Sequence, residues 1–178
     1  LKQLATLYED ILDQNGAALM VLRSAEAVAP DDDDVRTAIR RLLRAEERFE
    51  ELGILLEEDA EKKDGPERTR IHLRLIQLRT GPLHQPLAGL ELIGVVFDEA
   101  PDFRDHLVPS LCELLDHPEA ALEAARLLRR VREATGDATK LAEVLDTLRT
   151  IETDSMARRE ATWALVELWE RRLGEPLR

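Results

Sequence analysis

The chain of 178 residues has one cysteine, Cys112, so no disulfide can form within it. Aromatic residues make up 3%, three Phe, two Trp and one Tyr, too few for the aromatic and β-branched strands of a sandwich or barrel. Gly and Pro number eight each, which excludes collagen-like and low-complexity classes. Positive charge is in deficit: 25 Lys and Arg face 37 Asp and Glu, for a formal charge of -12. An acidic chain repels phosphate backbones and anionic lipid, so neither nucleic acid nor a membrane is expected as a partner. No stretch approaches the roughly 18 apolar residues of a membrane span. A lone cysteine fits a reducing compartment, and the expected location is cytoplasmic. Cys112 lies in Leu-Cys-Glu-Leu-Leu, where it reads as a small buried hydrophobe.

Reaction chemistry is equally sparse. There is no Gly-rich phosphate loop and no Gly-x-Ser-x-Gly elbow, and the three serines, Ser24, Ser110 and Ser155, have no nucleophile context. The histidines are His72, His84, His106 and His117. No two stand four apart and none has a nearby cysteine, so zinc spacing is absent. His84 and His117 read as turn or surface residues. Asp31 to Asp34 lacks the alternating oxygens and sixth-position Gly of a calcium loop, having Arg36 there, and reads as a helix cap. No enzyme, cofactor or metal is therefore expected. A helical enzyme would require a cavity with converging polar groups around His72 or His106. Arg40, Arg44 and Arg48 form a helical stripe that reads as a solvated face paired with Glu47, Glu50 and Glu51.

What is present is helix. Ala, Leu, Glu and Arg are plentiful, and apolar residues recur three and four apart. The pattern predicts ten helices, at about 2–13, 17–29, 32–46, 48–63, 67–80, 86–99, 102–115, 118–134, 138–152 and 155–173. Leu4 and Leu7 of the first, and Phe49 and Leu52 of the fourth, should face inward. Asn15-Gly16 should cap the first helix, Gly136 and Asp137 should end the eighth and start the ninth, and Pro109 falls inside or breaks the seventh. Short turns between helices imply antiparallel hairpins.

The sequence also echoes itself. Leu4, Ala18, Leu22 and Pro30 recur 71 residues later as Leu75, Gly89, Ile93 and Pro101. Leu165, Trp169 and Leu173 echo Leu4, Tyr8 and Leu12. Half of 71 is one helical hairpin. Leu4-Ala5-x-x-Tyr8, then Ala18-x-x-x-Leu22-x-x-Ala25 followed by Pro30, resembles the tetratricopeptide repeat family. Residues 102–154 resemble instead a looser, HEAT-like insert with one added helix near 102–117, and 155–178 the start of a further copy. The resemblance implies an all-α, right-handed α-solenoid of about ten antiparallel helices over 1–178, tetratricopeptide-like over 1–101. An incomplete last copy would leave an apolar face near Trp169 and Leu173, so the chain reads as a fragment of a longer repeat protein or one that associates end to end.

In that family the first helix of each hairpin lines a concave groove that holds a peptide or helix. The resemblance implies partner-binding positions at Thr6, Glu9, Arg41, Arg44, Gln77, Trp163, Glu167 and Glu170. The family's clamp for acidic tails needs Lys and then Asn; Lys2 is present, but Thr6 and Ala38 replace the asparagines, so that ligand is not expected. The expected function is a non-catalytic scaffold that binds a protein or peptide. The alternative is a regulatory or spacer segment of a larger multidomain protein.

Overall fold

In the computed structural model, which describes residues 1–10, 14–30 and 32–170, the chain is all-α, with no strand among those residues. The helices are α1 (Lys2–Asp10), α2 (Asn15–Val28), α3 (Asp33–Ala45), α4 (Phe49–Glu61) and α5 (Gly65–Thr80). They continue with α6 (Pro86–Glu99), α7 (Val108–Leu114), α8 (Pro118–Thr135), α9 (Ala138–Ile151) and α10 (Ser155–Leu168). A 3-10 segment, Pro101–Leu107, leads into α7. No helix among the described residues is long and apolar enough to cross a membrane.

The chain divides into two compact units, residues 1–62 and 63–178. In each, every helix packs on the next one along the chain. In the second unit α5 also packs on α7, and α6 on α8. That unit's apolar core is continuous from Ile76 to Leu168, with Ile93, Leu107, Leu111 and Leu114 fully enclosed. The first unit combines an apolar centre, Ile39, Leu42, Leu43, Leu55 and Leu56, with a buried ionic knot. In the knot Arg36 Nε donates to Asp59 at 2.6 Å and its Nη1 to Glu26 at 3.1 Å, while Arg40 donates to the other Asp59 oxygen at 2.7 Å.

Acidic caps begin three helices. The Asp32 carboxylate accepts from the amides of Asp34 and Val35, Asp137 from Lys140, and Asp154 from Met156 and Ala157. Gly136 closes α8 at φ 73°, a conformation that costs a side-chain-bearing residue strain.

The 71-residue echo is built into the backbone. Gln14 and Gln85, the residues before α2 and α6, donate to the carbonyls six residues back, Tyr8 and Arg79, at 2.9 and 2.8 Å. Ala29 and Ala100, which follow those helices, donate to Ala25 and Val96 at 2.9 and 3.0 Å. Their dihedrals match as well, φ -137°, ψ 80° against φ -132°, ψ 74°. Both helices have 14 residues.

Several expectations need correction. Asn15 and Gly16 do not cap α1; they open α2, because the turn is closed through Gln14. Leu4 and Leu7 are not enclosed, each being 42% exposed. Phe49 is half-buried. The ends of the first and tenth expected helices, 11–13 and 171–173, lie outside the described residues. The seventh expected helix is a 3-10 segment followed by the short α7, with Pro109 at its second position. Proline has no amide to donate and its ring crowds the carbonyl four residues back, so one continuous α-helix cannot run through.

Buried positions also recur at a spacing of 72. Val35, Ile39 and Leu42, the buried stripe of α3, correspond 72 residues later to Leu107, Leu111 and Leu114. Leu52, Gly53, Leu55 and Leu56 of α4 correspond to Ala124, Ala125, Leu127 and Leu128 of α8. Gly89, Ile93 and Val96 of α6 correspond in turn to Ala161, Leu165 and Leu168 of α10. Any amphipathic helix supplies apolar residues at such spacings.

Candidate functional site

The eight positions implied by the resemblance are divided between the units. In the first, Thr6 is exposed and donates to its own helix at the Lys2 carbonyl, 3.2 Å away. Glu9 of α1 and Arg41 of α3 form a bidentate ion pair, with Arg41 Nη2 2.6 Å from Glu9 Oε2 and Nη1 on the other oxygen. The guanidinium holds the Glu9 carboxyl below its usual range. Arg44 is exposed. The arginine stripe is therefore not a uniform solvated face: Arg40 turns into the Asp59 knot, and Arg48 pairs with Glu51.

In the second unit Gln77 is exposed on α5, where its neighbours Leu75, Ile76 and Leu78 are buried. Trp163, Glu167 and Glu170 are all exposed. Trp163 is 67% exposed and Met156, seven residues earlier on α10, 69%. Seven residues is nearly two helical turns, so the two side chains share a face. Ala161, Leu165 and Leu168 occupy the opposite, buried side. Trp169 packs partly buried against the core. Exposure of Met156 gave no sequence signal, because methionine on a helix is commonly core.

Cys112 is exposed, contrary to expectation. Leu107, Leu111 and Leu114 take the inward stripe, and Cys112 falls about 100° around the helix from Leu111.

Cavities with charged linings open in the second unit. One, of about 380 Å³, is bordered by Arg126, Arg129 and Arg130, but each arginine is engaged. Arg126 binds Glu152 at 2.8 Å, Arg129 binds Glu133 at 2.7 Å, and Arg130 lies 4.3 Å over the Phe97 ring. The other, of about 260 Å³, is lined by His72 together with Arg68, Thr69, Glu99, Asp102 and Phe103. His72 is 8% exposed. Burial first, and then the nearby Arg68, push its imidazole below the ordinary range, with Glu99 opposing and Arg79 adding to the push. His84 is a turn residue with φ 50°, and His106 lies exposed beside Phe103, ring centroids 5.6 Å apart. Among the described residues no group of three His, Cys, Asp or Glu could hold a metal ion.

No family model, curated protein or solved structure matches this chain.

Proposed function

We propose that the chain is a non-catalytic scaffold binding a protein or peptide partner, and that its hairpins form a right-handed α-solenoid of the tetratricopeptide kind. The observation that carries the binding role is the outward face of α10, where Trp163 and Met156 stand in water. Leaving a tryptophan in water forgoes about 2 kcal/mol or more of burial, and such residues dominate interface energies when a partner covers them. Glu170, exposed just past the end of α10, adds negative charge, so a partner with an apolar anchor and a basic flank complements this surface. The architectural half is supported by the two helices 71 residues apart, α2 and α6, which share their turn and cap hydrogen bonds.

The test is capture of binding partners by the 178-residue chain beside its W163A form, with circular dichroism confirming equal helix content. A partner retained by the native chain should weaken by about 2 kcal/mol or more in W163A, roughly thirtyfold in Kd. If every captured partner binds W163A equally well, the α10 face is not the docking surface. If none is captured, a spacer role takes its place.

A further inference from the structure

The outward face of α10 changes sign along its length. Met156, Arg159, Trp163, Glu167 and Glu170 are all exposed. They recur at intervals of three and four, so they share one stripe, with Trp163 at its centre. Arg159, one turn before the tryptophan, makes no hydrogen bond or ion pair among the described residues. Its neighbours are engaged elsewhere: Arg158 donates to the Glu152 carbonyl at 2.6 Å, and Glu160 lies 3.5 Å from Arg129. After the tryptophan the stripe is negative. Glu167 stands one turn on, with an interaction inside its own chain as well, and Glu170 follows just past the helix end. A carboxylate has room for several donors, so the first contact of Glu167 does not preclude another.

Such a stripe is complementary to itself. Turned end for end about an axis through Trp163, it sets each residue before the tryptophan against one equally far after it. Arg159 then meets Glu167, with Glu170 about 4.5 Å further along, within reach of a long arginine. Two-fold symmetry makes the same contact twice, and the two indoles meet at the axis, where offset stacking favours them. A parallel pair would instead set Arg159 beside Arg159 and glutamate beside glutamate. We propose that two copies of this chain pair through α10, antiparallel, with Trp163 at the two-fold axis and Arg159 of each against Glu167 and Glu170 of the other. The inference rests on the reading of the α10 face as a docking surface and names its occupant: the apolar anchor and basic flank that this face complements stand on the face itself. The formal charge of -12 opposes association of two whole chains, but the stripe that meets carries both signs. A helix of 14 residues spans about 21 Å. Two of them bury less than the roughly 1,200 Å² of a stable interface, so the pair is weak and concentration-dependent.

The experiment is sedimentation equilibrium of the full chain at up to about 1 mM, in about 0.15 M salt to screen long-range repulsion. Circular dichroism confirms that each variant keeps its helix content. The native chain should show a monomer–dimer equilibrium, and W163A should weaken it about thirtyfold or more. R159E sets like charges together at both contacts, and so does E167R combined with E170R; each form alone should weaken about tenfold or more. Mixed in equal amounts, the two forms should pair again with native affinity, since every contact then joins opposite charges. A native chain that stays monomeric overturns the self-pairing; a foreign partner that still weakens in W163A would then leave the docking surface standing. The proposal is equally overturned if W163A dimerises as the native chain does, or if the mixture pairs no more tightly than its components.

Discussion

Arg36 and Asp59 show how much a single pair can matter in a small unit. Their side chains are 7% and 8% exposed, and Glu26 and Arg40 complete the cluster. Burial alone would pull the Arg36 guanidinium down, but Asp59, Glu58 and Glu26 together raise it. Removing one partner strands a charge away from water. D59A should therefore lower the stability of residues 1–62 by about 3 kcal/mol or more, read from chemical denaturation. Replacing both members with apolar residues, R36M with D59L, should recover part of that loss; equal damage from the single and double changes would show that the pair is not coupled. His72 sets a pH dependence in the other unit. Its native pKa lies below the ordinary 6.5, so between the two values the unfolded chain binds more protons. The stabilisation is present above about pH 6.5 and is lost as pH falls through the native value. Melting temperature against pH should drop on acidification in the native protein and drop less steeply in H72Q; parallel curves would contradict this. At this scale the acidic caps were legible, because Asp before an apolar-periodic run has few other uses. Cys112 was not: leucines on both sides fit two phases of the helix, and only the packing of Leu111 and Leu114 selects one.

At the scale of elements, the close approach of α5 and α6 rests on Gly89. A Cβ there would come within 2.8 Å of the Thr80 methyl, and Thr80 is itself 1% exposed and bonded to Glu113 at 2.9 Å. Thr80 is β-branched and enclosed, so it cannot swing clear. G89A should cost about 1–3 kcal/mol, seen as a lower denaturation midpoint. The corresponding residue in the first copy is alanine, Ala18, so the limit comes from Thr80 and not from the repeat pattern. T80S with G89A should be milder than G89A alone. Helix bounds were largely readable from proline and the caps; α6 is found at the expected residues. The break before α7 and the one-residue change of register from 71 to 72 were not readable, since they depend on which of several leucines faces inward. The Trp163 surface was half legible: a tryptophan on a helix can serve a core or an interface, and only its neighbours' burial decides.

At the scale of the molecule, the apolar cluster of the second unit lies, among the described residues, within residues 73–169, and Ile71 and Leu75 are buried as well. Residues 63–178 expressed alone should therefore give a helical circular dichroism spectrum and a cooperative melt. Residues 1–62, near the size below which single cores become marginal, should melt lower or unfold. A longer fragment that stays unfolded while the full chain folds would contradict that division. The thiol of Cys112 stands on the water side of α7 and has no other sulfhydryl within the chain to join. Air and time can therefore oxidise it into a bridge only between two molecules, so a preparation kept without reductant should accumulate a covalent dimer that dithiothreitol dissolves, while a single maleimide dye would mark every copy at the same point.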